Sequence, residues 1–198
     1  WGLDYAHLQK VSPRLVVTSI TPYGYTGPYR DFKGYDINCA AAGGVSSGNG
    51  EPAREPLSFA LSQCDYQGGL SAMGATMSAL LFREATGEGQ HVDISIAEVM
   101  GALHMGNNIP TYIYRGIVAL RAGRRGGPGR YPRTALPCKD GHFILSAIQL
   151  AEWVRFVDLM GTPEWSKDPR YRDRRKMAEE YPEEVDALVS QWSTRYPK

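Results

Sequence analysis

Apolar residues recur along this chain in two rhythms. Leu70, Met73, Met77, Leu80 and Leu81 fall three and four apart, the spacing of one helix face. The pattern predicts a helix from Tyr66 whose apolar stripe faces a core. Gly69, Ala72, Ala75 and Ala79 interleave with the stripe and are small enough to let another element approach. Gly87, just after Thr86, suits the residue past the helix end. In residues 91–96, Val92, Ile94 and Ile96 alternate with polar neighbours, the period of a strand. The following AEVMGALHM begins another helix.

Upstream, residues 4–10 read as the end of a helix stopped by Pro13, and residues 14–20 as a short buried strand. Residues 21–28 carry turn chemistry, residues 34–44 a short helix ended by glycine, and residues 45–56 an irregular loop. Strand, helix, strand and helix in this order predict an α/β layer with a mainly parallel sheet. Residues 115–133, rich in Arg and Gly, have no period and read as a linker or a functional loop. A domain boundary is expected there, between about 115 and 130. Beyond it come a turn into a strand near CKDGHFILSAI and a helix over residues 151–161. A charged, mostly exposed stretch, KDPRYRDRRKMAEE, follows. A last helix opens at Pro182, Glu183 and Glu184, with Val185, Leu188, Val189 and Trp192 on one face.

Composition narrows the function classes. The chain has 198 residues, 42% hydrophobic and 22% charged, with a formal charge of +1. That balance gives no global pull toward nucleic acid or a membrane surface. No apolar run approaches the ~20 residues that span a bilayer. The first residues lack the basic head and apolar core of a signal peptide. The abrupt start at Trp1, inside an amphipathic pattern, reads as a piece of a longer protein. Cys39, Cys64 and Cys138 are odd in number and far apart, which argues against a disulfide framework or a structural zinc site. Reduced thiols in a cytoplasm are the plain reading. The four histidines are scattered and no metal is expected.

The chemistry concentrates at Gln63-Cys64-Asp65-Tyr66-Gln67-Gly68-Gly69. A helix N-terminus has unpaired amides and partial positive charge, which favour an anion by roughly 0.3–1 kcal/mol when exposed. Asp65 could simply cap its helix. A cap does not call for two glycines in the first turn, each costing up to about 1 kcal/mol relative to alanine. Gly68 and Gly69 therefore point to space for a ligand or another backbone. An accessible ionised Asp is what covalent carboxylate catalysis requires. Cys64 is the rival nucleophile, but no local His or positive field activates it, so it reads as a structural thiol.

Three stretches carry a resemblance: SITPYGYTGPYRDFKGYDINCAAAGG, CDYQGGLSAMGATMSALLFREATGEGQHVDISIAEVM and PCKDGHFIL. They resemble the family III CoA-transferases, the CaiB/BaiF group that includes formyl-CoA and carnitine CoA-transferases. The resemblance implies an α/β fold: a Rossmann-like large domain, linkers and a small α+β domain, with two subunits interlocked as rings. Residues 1–115 would be the middle of the large domain, 116–130 a linker with a glycine loop, and 131–198 the small domain. By resemblance Asp65 is the nucleophile. Phe32, Lys33, Gly34 and Tyr35 match a CoA-contacting stretch, and Gly126, Gly127 and Gly129 match a loop that covers the active site. No resident cofactor is implied; coenzyme A is a substrate, with an acyl-CoA and a small carboxylic acid as partners of a cytoplasmic homodimer.

Two other readings compete. The α-methylacyl-CoA racemases share the fold and use a His where this chain has Tyr35. A phenol, with pKa ≈ 10, is a poor base near neutral pH. The five arginines of RAGRRGGPGRYPR could hold RNA phosphates, but the patch is short and the rest of the chain nearly neutral.

Overall fold

The structure, a computed structural model, describes residues 2–104, 108–118, 121–125, 129 and 131–198. It divides into two compact units, Trp1–Asn49 with Glu55–Leu120, and Gly50–Arg54 with Arg121–Lys198.

The first unit opens with helix α1 (Tyr5–Val11), whose N-cap Asp4 accepts the His7 N–H. Strand β1 (Val17–Thr21) leads through turns into α2 (Asp36–Ala42), α3 (Val45–Gly48) and the long α4 (Gln63–Thr86). Strand β2 (His91–Ser95) returns parallel to β1, with Val17 opposite His91 and Thr21 opposite Ser95. Helices α5 (Ile96–His104) and α6 (Asn108–Arg115) follow. This unit thus contains a β-helix-β crossover, as the alternating and helical periods predict. The loop expected over residues 45–56 contains the short α3, entered through Gly44 in the left-handed region.

The core of this unit comprises Cys39, Ala40, Val45, Cys64, Ile96 and Met100. It corrects the reading of α4. The face turned to the core carries Cys64, Gly68, Ala72 and Ala79, all small. Leu70, Met73, Met77 and Leu81 are instead exposed, at 56–70% of their surface, and Leu80 is half-buried. The reason is distance. A Cβ on Gly68 would stand 2.9 Å from Ile96 Cγ1, closer than real contacts allow. Small residues let α4 lie directly on α5 and the strands, and the large apolar side chains are left on the opposite side. Gly87 ends α4 with φ of +81°, as expected from its position.

In the second unit β3 (Arg133–Cys138) and β4 (Gly141–Ser146) form an antiparallel hairpin, with Arg133 opposite Ser146 and Cys138 opposite Gly141. Helix α7 (Leu150–Leu159), two short 3-10 turns, α8 (Arg174–Glu179) and α9 (Pro182–Ser193) complete it. Tyr131, Leu136, Leu145, Trp153, Tyr171, Met177, Val185 and Val189 form its core. The charged stretch expected to be mostly exposed supplies three of the buried side chains, Tyr171, Arg174 and Met177. The Arg174 guanidinium donates to the carbonyls of Tyr131, Ala147, Ile148 and Gln149, which is how a cation is accommodated there. Asp186 is also buried. Its carboxylate accepts from the Tyr131 hydroxyl at 3.0 Å and from the Arg125 guanidinium at 2.7 Å.

Candidate active site

Helix α4 begins at Gln63 rather than Tyr66, so Asp65 is the third residue of the helix and not its cap. Ser62 occupies the cap position, yet its side chain makes no capping bond. The acceptor comes from elsewhere: Asp36 Oδ1 takes the Cys64 N–H at 2.7 Å. Asp36 is the first residue of α2, whose start is itself fixed by Asn38 Oδ1 accepting the Tyr35 N–H at 3.0 Å. Two helix starts therefore meet at one carboxylate. The Asp65 side chain is exposed and, among the described residues, makes no hydrogen bond or ion pair.

The two glycines play different parts. Gly68 is buried and lets α4 contact Ile96, whereas a Cβ on Gly69 would meet nothing within 4 Å. Open space thus lies one turn beyond Asp65. Asp36 was not singled out from the sequence. Nothing local marks a residue that caps a helix so far along the chain.

Cys64, the residue before Asp65, and Cys39 are both fully buried in the core of this unit. Burial, followed by the Asp36 carboxylate, pushes the Cys64 thiol up to about 12. Burial, followed by the charge of Asp65, pushes Cys39 up to about 11. Neither is a thiolate near neutral pH, as the sequence reading of Cys64 expects. In the unfolded chain these thiols ionise nearer 9.0. The folded state holds their protons more tightly, so this contribution to stability is fully present below about pH 9 and declines toward pH 12. At pH 8, iodoacetamide is expected to leave Cys39 and Cys64 unlabelled in the folded protein and to label both in urea, read by peptide mass.

Of the residues matched to a CoA-contacting stretch, Phe32, Lys33 and Tyr35 are exposed. Gly34 is tightly packed, since a Cβ there would come 2.6 Å from Pro22 Cβ. Phe32 also lines an open cleft of about 320 Å³ with Tyr23, Tyr29 and Ala42. Tyr35 adjoins the Asp36 cap directly in sequence. Gly126 and Gly127 lie outside the described residues; Gly129 is exposed and belongs to the second unit.

The sequence profile described as CoA-transferase family III matches residues 1–198. The chain belongs to CoA-transferase family III. Succinate–glutarate CoA-transferase of Agrobacterium fabrum is 33% identical over 171 residues, 86% of this chain and 42% of that protein. Succinyl-CoA–D-citramalate CoA-transferase of Chloroflexus aurantiacus is 33% identical over 197 residues, 99% of this chain and 48% of its own length. A CaiB/BaiF family protein from Brucella suis superposes with a TM-score of 0.80 at 31% identity, over 99% of this chain and 51% of that one. This family III chain therefore spans about half the length of the curated relatives it matches. The mixed α/β fold agrees with that membership. Among the described residues no helix is long and apolar enough to cross a membrane. No group of three or more His, Cys, Asp or Glu among them could hold a metal ion.

Proposed function

We propose that the protein carrying this chain transfers coenzyme A from an acyl-CoA to a carboxylic acid, with Asp65 as the nucleophile. The observation that carries the reading is the division of labour at the start of α4: Asp36 takes the helix amide, and the carboxylate of Asp65 stays accessible and unpartnered among the described residues. A carboxylate is a weak nucleophile, and dividing the exchange into covalent steps lowers each barrier.

An Asp65 oxygen attacks the thioester carbonyl, the C–S bond breaks, and a mixed anhydride and the CoA thiolate result. The thiolate then attacks the Asp65 carbonyl, releasing the donor acid and leaving an aspartyl-CoA thioester. The acceptor carboxylate enters and the same steps run in reverse, regenerating Asp65 with no net proton change. Phe32, Lys33, Gly34 and Tyr35 would contact CoA, with Lys33 pairing a phosphate. Gly126, Gly127 and Gly129 would supply backbone amides to developing negative charge and keep water from the anhydride.

The first unit is read as the middle of the large domain and the second as much of the small domain. The exposed stripe of Leu70, Met73, Met77 and Leu81 supports burial against further protein, in keeping with an interlocked homodimer. Three unpaired cysteines support a cytoplasmic setting. The relatives' names suggest succinyl-CoA as a first donor to try. Incubation of the whole protein with succinyl-CoA and hydroxylamine is expected to convert Asp65 to its hydroxamate, seen as a mass shift on that peptide. An unmodified Asp65 during active transfer removes it from the mechanism. α-Hydrogen exchange into heavy water without an acceptor acid would instead indicate racemase chemistry.

A further inference from the structure

We infer that Asp36 is a positioning residue for the nucleophile: its hydrogen bond to the Cys64 amide fixes the first turn of α4 and keeps the Asp65 carboxylate available to the acyl carbon. This deepens the reading of Asp65 given above and rests on it.

The first amides of a helix have no partner within it. At α4 the cap residue Ser62 does not supply one by its side chain. An Asp three residues into a helix can itself turn back toward such amides. If Asp65 did so, its oxygens would be held by the backbone and aimed away from substrate. Asp36 takes the Cys64 amide at 2.7 Å, and the amide belongs to the residue immediately before Asp65.

Asp36 is itself held. It is the first residue of α2, and the Tyr35-Asn38 bond sets that helix start. Cys39 and Ala40, one turn on, are fully buried beside Cys64 and Met100. The carboxylate thus reaches α4 from an anchored helix rather than from a mobile loop. The interaction spans 28 residues and ties the KGYD stretch to the nucleophile turn. A hydrogen bond at this place acts on orientation, and misplacement by about 1 Å can cost 10²-fold in rate.

The test uses the whole protein with an acyl-CoA donor and an acceptor acid. Asp36→Ala is expected to lower kcat about 10- to 100-fold with KM for the acyl-CoA changed less than about twofold. Asp36→Asn, which keeps the acceptor oxygen and loses the charge, is expected to stay within about threefold of the parent kcat. If Asp36→Ala does not fold, as judged by circular dichroism, Asp36→Glu replaces it. That variant keeps the charge but displaces the acceptor by a methylene, and a kcat loss above about tenfold is expected. The inference is overturned if Asp36→Ala, or Asp36→Glu in its place, keeps kcat within threefold. It is also overturned if Asp36→Asn is as slow as the variant lacking the bond, or if KM rises with kcat unchanged. Asp65→Asn run alongside separates the two levels. An active Asp65→Asn defeats the nucleophile reading itself; an inactive Asp65→Asn beside a fully active Asp36→Ala defeats only the role of Asp36.

Discussion

Asp65→Asn is expected to lower kcat for CoA transfer at least about 10³-fold while the protein melts within a few degrees of the parent. The amide nearly matches the carboxylate in size but carries no anionic oxygen to attack a thioester. A 10³-fold loss corresponds to about 4 kcal/mol of barrier. Stability should hardly change, because the Asp65 side chain is exposed and, among the described residues, makes no hydrogen bond or ion pair. Loss of a charge in the first turn of a helix is worth roughly 0.3–1 kcal/mol at an exposed site. The two magnitudes separate the competing roles. An exposed aspartate with only a structural role in the first turn would cost little in either measure when replaced by asparagine. Steady-state transfer and a thermal melt on the same preparation decide between them. Asp65→Ala serves as a check on any activity that arises when the introduced asparagine deamidates back to aspartate.

The parts of the fold that were legible in the sequence are those in which periodicity and burial coincide. Helix α9 shows this in Val185 and Val189, both fully buried; in β2 the apolar alternation gave the strand although Val92 and Ile94 are only half-buried. The helical period of α4 was equally clear, but its facing was not. Hydropathy marks the large side chains as the inner face, whereas packing distance selected Gly68, Ala72 and Ala79. A stripe of leucine and methionine marks the helix by its period, but hydropathy alone does not say which face the chain covers, and here those side chains are exposed. Strand β3 was missed because Pro137 and two small residues interrupt its hydrophobicity; only the inward side chains Thr134, Leu136 and Cys138 alternate. In the candidate site, the sequence pointed to Asp65 through the glycines beside it, which break local helix logic. Asp36 was invisible because its partner is distant in sequence. The buried Arg174 and Asp186 were hidden for the same reason: their residue types argue for solvent, and only tertiary partners reverse that.

Asp186 therefore yields the largest expected effect on stability. Only 3% of its side chain is exposed, and it binds three donors: Tyr131 through Oδ1, and Arg124 and Arg125 through Oδ2 at 3.0 and 2.7 Å. Burial, followed by the Asp186 charge, raises the Tyr131 phenol, which stays protonated and donating throughout the neutral range. Asp186→Ala strands the hydroxyl of a buried tyrosine and uncouples Arg125 from its buried partner. Removing one member of a buried ion pair costs about 3–5 kcal/mol. The lower end applies, because Arg124 and Arg125 are partly exposed and keep Glu183 as a second partner. Glu183 forms the opposite case. It contacts the same two arginines at 2.9 Å but is 74% exposed, so solvent screens it and Glu183→Ala should cost below about 1 kcal/mol. Asp186→Asn should fall between them, since it keeps an acceptor for Tyr131 but not the charge. Urea unfolding followed by tryptophan fluorescence reads these differences. Trp153, Trp165 and Trp192 all lie in the second unit, and Trp153 stands edge-on to Tyr131 at 5.7 Å between ring centroids. Equal midpoints for Asp186→Ala and Glu183→Ala would mean that burial does not set the weight of this network, and that the second unit's core does not depend on the buried carboxylate.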